Sequence, residues 1–491
     1  MARGFEVIGP RRPVHRSAWL QAVDAAVVVG LLGGVCAHGA ETLPARPSIL
    51  LISIDTLRAD HLGVYGYPRP TDEQLRARLG DFDTYDNAYT TLPLTLPSHA
   101  ALMTGLYPRN LGVLNNHHAL PASAPPTLAG LLADEGYRTA AVVGSAVLSS
   151  STGISRGFGV YDEPALHGGA TRRSADDVTE RAMSILESAP GPLFLFVHYY
   201  DVHPPYFAPD QNRCLLRAGD TLRRILSRRG LDGVAYQEVL NRKHDEPIVE
   251  NGRVVTIEEM IVRYDASLLH VTERISRLLD LWNATSHGAG GMVIITSDHG
   301  EGLGQHGYWS HGMTLYDEVL RVPLMIRWPG EGRRGKSPRR IERAVSLVDI
   351  VPTILDVLHL HSSRGLAGRS IRDAQERRGV PFGPVVAQRM RYMNQRPSAG
   401  QRDWRKGDGY AILDGPYKYL EGEGSAPALF DRSRDPFELH NLVVRRVRIA
   451  RRLHSELEEW LTHSPEGRPV LADGESDEQR RRRLRSLGYV D

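Results

Sequence analysis

The chain has 491 residues, with 60 Lys and Arg against 58 Asp and Glu, for a formal net charge of +2. A balance this close excludes a whole-molecule field that would draw nucleic acid. Apolar residues make up 41% and charged residues 24%; this is the make-up of a globular protein, long enough for one large domain with a smaller one appended.

The N-terminus carries Arg3, Arg11, Arg12 and Arg16, followed by an apolar run over 25–37. That run is too short for an ordinary membrane span and reads as the core of a signal peptide, residues 1–37, after a basic leader. An uncleaved N-terminal anchor, holding the protein near a membrane, is the alternative. Either reading places the chain in the periplasm or outside the cell. Cys36 and Cys214 are the only cysteines, so removal of the leader leaves Cys214 with no internal partner.

Residues 48–54, Ser-Ile-Leu-Leu-Ile-Ser-Ile, read as a buried strand that ends at Asp55. The stretch Leu94-Thr95-Leu96-Pro97-Ser98-His99 then opens a helix, with Pro97 at the first helical position and Thr95 just before it. A hydroxyl there faces the anion-attracting end of a helix, where a nucleophile for a sulfate or phosphate ester belongs. Taken alone, the segment reads more readily as a capping Thr before a core helix, and the surrounding chain shifts the balance. Further buried strands are expected over 139–143, 193–197, 292–296 and 323–328. A helix is expected where Ile261, Tyr264, Leu268, Val271, Ile275, Leu279 and Trp282 share one face. This alternation implies an α/β fold, a large mostly parallel sheet covered by helices on both faces. The catalytic domain is expected over 46–360. Residues 361–491 should form a smaller C-terminal α+β subdomain, with an antiparallel sheet near 410–431 and a helix over 443–461. The basic run Arg480 to Arg483 reads as a solvated face rather than a nucleic-acid patch.

Asp298 and His299 follow the apolar run 293–297 directly. Ligands of open α/β sheets bind beyond the carboxyl ends of strands, which lets Asp55 and Asp298 meet there. With the Thr95 hydroxyl and His299 they form a set of three oxygens and one nitrogen. Such a set suits one divalent ion (Mn, Zn, Ca or Mg) that lowers the pKa of the hydroxyl and neutralises ester oxygens.

Thr95-Leu96-Pro97-Ser98-His99 with Thr104-Gly105 resembles the signature of the sulfatase family, in the alkaline phosphatase superfamily: Cys/Ser-x-Pro-Ser-Arg followed by Thr-Gly. The start, from Pro47 to Asp60, and the segments around His306-Gly307, Asp317-Glu318, Arg321-Val322-Pro323 and Leu429-Phe430-Asp431 are also similar to that family. The resemblance implies that Asp55, Asp298 and His299 are metal ligands and that Thr95 stands at the nucleophile position. It departs at two points. The residue that matures to formylglycine is normally Cys or Ser, so no formylglycine is expected from Thr95, and the supporting Arg is His99. Thr56 also stands where many sulfatases carry a second Asp, and His299 where they commonly carry Asn.

By the same resemblance, His203 in His203-Pro204-Pro205-Tyr206 contacts an ester oxygen or protonates the leaving group, and His311 occupies the place of a family Lys. His306 joins them as a substrate contact; a second metal site built from these histidines and Asp201 is the alternative. The implied activity is a sulfatase-family hydrolase of small or polymeric sulfate or phosphate esters. Thr95 is its metal-activated nucleophile, and phosphoester chemistry is favoured over sulfate. A phosphotransferase and a catalytically silent binder of sulfated or phosphorylated polymers are the alternatives.

Overall fold

The computed structural model describes residues 46–164, 171–216, 220–228, 249–250, 253–330, 338–360, 365–372, 383–389, 407–423 and 426–471. The expected leader over 1–37, the run Arg480 to Arg483 and the whole stretch 229–248 lie outside these residues. Pro47–Asp491 forms one compact unit.

Eight strands build the central sheet: β1 Ile49–Ile54, β2 Asp83–Tyr89, β3 Arg138–Val143, β4 Val160–Asp162, β5 Leu193–Tyr199, β6 Met292–Ser297, β7 Arg321–Arg327 and β8 Arg340–Ser346. Their spatial order is β8-β2-β7-β6-β1-β5-β3-β4. Every pairing is parallel except those of β7 with β2 and β6. The central strand β1 is buried throughout, which is why its sequence is an unbroken apolar run rather than an alternation. Leu50, Ile52 and Ile54 face one core layer, and Ile49 and Leu51 the other.

Five helices matter to the site. α1 (Thr95–Thr104) and α4 (Ile350–Val357) cover one face of the sheet; α2 (Ala175–Ser188) and α3 (Ile257–Ala284) cover the other. The start of α3 is fixed by a capping box between Thr256 and Glu259, and its expected stripe, Tyr264 to Trp282, is buried. The expected C-terminal sheet is present as β9 Val385–Gln388, β10 Gly409–Asp414, β11 Tyr417–Gly422 and β12 Ala428–Asp431, all antiparallel. α5 (Val447–His463) packs on it through Leu453 and Leu457. The same apolar cluster takes in Ala101 of α1 and Val348, so this smaller sheet braces the back of the helix that carries Thr95. Buried Lys418 adds an ionic joint, 2.8 Å from both Asp317 and Glu438.

Register decides where the chemistry falls. Ser53 of β1 lies opposite both His198 of β5 and Thr296 of β6, and Ile54 opposite Tyr199 and Ser297. Asp55, Tyr200 and Asp298 therefore all leave the sheet at one level, on adjacent strands about 4.8 Å apart.

Candidate active site

α1 begins at Thr95 itself, with extended Leu94 as its N-cap. The first helical bond runs from the Ser98 amide to the Leu94 carbonyl, 3.0 Å. Pro97 falls at the third helical position rather than the first, where its missing N–H still costs the helix nothing. The Leu96 amide donates to Asn116 Oδ1 at 2.9 Å, so the helix end offers an incoming anion fewer amides than the sequence pattern implies. What Thr95 gains is a neighbour: its buried hydroxyl hydrogen-bonds the Asp55 carboxylate.

Asp298 accepts hydrogen bonds at one oxygen only, while His299 Nε2 lies 3.3 Å from the other, Oδ2. Its Oδ1 accepts the amides of Thr56 (3.1 Å) and His299 (2.8 Å). Thr56 reaches this position with a left-handed φ of 55°, and its own hydroxyl donates to the Val202 and Asp55 carbonyls. The His299 Nδ1–H donates to the Gly300 carbonyl, 2.9 Å, which leaves the lone pair of Nε2 facing the carboxylates. Ligand atoms of Asp55, Asp298 and His299 lie within 4.8 Å of one another, all buried.

Three of these atoms, Asp55 Oδ1, Asp298 Oδ2 and His299 Nε2, have no hydrogen-bond partner. Buried polar atoms without partners are costly, and three converging on one point form a cradle for a cation. The electrostatics agree. Burial lifts the Asp55 carboxyl to about 7 against the opposing pull of His299, Thr95 and Asp298. Burial, then the neighbouring Asp55, pushes Asp298 up as well. A carboxylate pair with one imidazole and a hydroxyl fits a divalent ion.

The histidines divide. His99 is buried and turned inward: Nδ1 lies 2.7 Å from the Thr95 carbonyl and Nε2 2.9 Å from Ser53 Oγ. Burial pushes it down to about 3, so the candidate catalytic His99 is a neutral brace at the position where the family's pattern carries a guanidinium. His203 and His311 do gather beside the cradle. Their rings are 5.2 Å apart, and that of His311 is 4.4 Å from His299. His203 stacks on Tyr200, and His311 Nδ1 is 3.3 Å from Glu301 Oε1. His306 is not brought into this group. It pairs with Glu318 at 2.7 Å and stacks on Tyr316 at 3.6 Å. Asp201 instead accepts the Ala175 amide at the start of α2, 3.0 Å away.

Two site residues were not singled out from sequence: His198 and Glu301. His198 Nε2 lies 3.3 Å from Asp55 Oδ2. A titratable residue inside an otherwise apolar buried strand was the available signal. Glu301, fully buried, followed the Ser-Asp-His-Gly motif in plain view.

A mostly parallel sheet with a carboxylate–imidazole cradle at its strand ends, beside a helix-borne hydroxyl, is the layout of a metal-dependent ester hydrolase. Comparison with known proteins agrees. The model of the sulfatase family matches residues 47–360, and that of the N-sulphoglucosamine sulphohydrolase C-terminal region matches residues 304–463. An uncharacterized sulfatase of Escherichia coli K12, YidJ, is 25% identical over 464 residues, covering 85% of this chain and 87% of the relative. The fold is shared with a chain solved in complex with its substrate D-glucosamine-2-N,6-O-disulfate (TM-score 0.68, 19% identity, 85% of this chain and 98% of that one). It is shared as well with the phosphonate monoester hydrolase of Agrobacterium radiobacter (TM-score 0.65, 20% identity, 85% and 96%). The protein belongs to the sulfatase family and is an ester hydrolase of that family.

Proposed function

We propose that this hydrolase cleaves singly charged phosphoesters, phosphodiesters or phosphonate monoesters, with Thr95 as its nucleophile. The observation that carries the reading is the Thr95 hydroxyl, hydrogen-bonded to Asp55 at the edge of the cation cradle, where the family's pattern has a formylglycine precursor. A divalent ion held by Asp55, Asp298 and His299 would supply positive charge that lowers the hydroxyl pKa and offsets charge on the ester.

The chain's own groups do the rest. Thr95 Oγ attacks phosphorus and passes its proton to the hydrogen-bonded Asp55 carboxylate; the Oγ–P bond forms as the bond to the departing oxygen breaks. That oxygen takes a proton from the His203–His311 pair. Burial and His311 hold His203 well below its ordinary range, and burial lifts the Glu301 carboxyl, 3.3 Å from His311, to about 8, so that it can feed a proton to the pair. Water then attacks phosphorus and releases Thr95. A formylglycine hydrate can expel its sulfate by collapsing to the aldehyde; a threonine ester must be displaced a second time, which phosphorus chemistry accommodates.

Charge sets the preference within phosphoesters. Asp55 and Asp298 have no Lys or Arg partner among the described residues, so their two negative charges balance a divalent ion and leave no surplus for a dianion. Aryl sulfates also carry a single charge, and the relatives named sulfatases make sulfate hydrolysis the second reading. The basic and apolar leader over residues 1–37 supports export.

The test is a panel of aryl phosphodiester, phosphonate monoester, phosphate monoester and sulfate on metal-defined protein. We expect the first two to be turned over fastest. A phosphate monoester or a sulfate as the best substrate would contradict the reading; turnover only with an acceptor alcohol present would make the protein a transferase.

A further inference from the structure

His198 is fully buried at the end of β5 and touches one polar atom. Its Nε2 lies 3.3 Å from Asp55 Oδ2, and its Nδ1 has no hydrogen-bond partner. With a carboxylate as its sole partner, the ring must carry its proton on Nε2 and donate it. Asp55 is thereby fixed in a single orientation: Oδ2 turned to His198, and the unpartnered Oδ1 left for the cradle.

His198 is itself held. Its ring meets that of His99 edge to face, with centroids 4.9 Å apart. His99 is locked at both nitrogens, to the Thr95 carbonyl and to Ser53 Oγ, and Ser53 sits directly opposite His198 in the β1–β5 register. One brace therefore links the nucleophile's own backbone, through His99 and His198, to the carboxylate beside its hydroxyl. His99 and His198 also lie near Asp298, a trio with the spacing of a metal site. The two bonds of His99 occupy both of its nitrogens, which removes it as a ligand and leaves the brace as the function of the pair.

We propose that His198 is a positioning residue that orients Asp55 for cation binding, working through a hydrogen bond from Nε2 and not through ring bulk. The inference rests on the reading of Asp55, Asp298 and His299 as a cation cradle. Carboxylates that ligate metals are themselves hydrogen-bonded, and loss of such a partner typically weakens binding by about 10–100-fold.

The test is a calorimetric titration of Mn2+ into metal-stripped protein, comparing His198→Gln with His198→Asn. The Gln amide extends to the position of Nε2, while the Asn amide stops at that of Nδ1. The expected result is near wild-type affinity for Gln and a loss of about 10–100-fold for Asn, with matching circular dichroism spectra. Equal affinity in the two variants would overturn the proposal. Asp298→Ala separates the two levels of the argument. If it abolishes Mn2+ binding while His198→Asn binds normally, the role of His198 alone fails; if it leaves binding unchanged, the cradle fails and takes this inference with it.

Discussion

Replacing Thr95 with valine removes one atom's chemistry and almost none of its shape. The side chain is fully buried at the first position of α1, where the β-branched isostere fits the same space. The lost hydroxyl leaves the Asp55 carboxylate one hydrogen bond short, a stability cost of about 1–2 kcal/mol. The effect on catalysis should be far larger. Loss of a covalent nucleophile costs about ten-thousand-fold or more in turnover, which is about 5 kcal/mol of activation free energy. Thr95→Ser makes the opposite cut: it keeps the oxygen and gives up one buried methyl, about 1 kcal/mol of stability, with turnover within about tenfold. Release of p-nitrophenol from bis-p-nitrophenyl phosphate measures both, with urea melts as the check on folding. If Thr95→Val keeps a tenth of wild-type turnover while folded, the hydroxyl is not the nucleophile and the mechanism fails.

Other consequences follow from the same geometry. Exhaustive chelation should abolish turnover, and Mn2+ should restore it in wild type but not in Asp298→Ala; activity that survives chelation would exclude the cradle. Away from the site, Asp265 is buried against His61 (2.7 Å), Arg69 and the Tyr67 hydroxyl (2.7 Å). Burial pushes its carboxyl up, but these partners together hold it below the usual range. Its folded value thus lies below the unfolded one, so its contribution is present above about pH 4 and fades as pH falls through the folded value. Asp265→Asn leaves the Arg69 guanidinium uncompensated and should destabilise the fold by about 3–5 kcal/mol near neutral pH; a urea midpoint within error of wild type would refute this. Lys418→Met strands Asp317 and Glu438 in the same way, and should loosen the C-terminal sheet from the back of α1, read as a lower melting temperature.

The apolar strands and the α3 stripe were legible because burial on both faces writes itself directly into residue type. Asp55, Asp298 and His299 were legible because the ends of apolar runs mark strand ends, where such sheets bind ligands. Other features were hidden because they depend on what lies across the sheet. The sequence cannot show that Leu94, not Pro97, begins the first helical turn, or that Asn116 takes the Leu96 amide. His306 sat in a motif loop as promisingly as His311; only the packing of Glu318 and Tyr316 separates the two. His198 was hidden within a strand whose remaining residues are core, and its meaning appears only once Asp55 lies on the adjacent strand.

A threonine nucleophile must carry a covalent phosphoryl group on Thr95 during turnover. Rapid acid quenching of protein turning over a phosphodiester, followed by peptide mass spectrometry, tests it most directly. An adduct of the substrate's phosphoryl portion is expected on Thr95 and should be absent from Thr95→Val. Steady turnover with Thr95 unmodified in every quenched sample, or an adduct on another side chain, would contradict it.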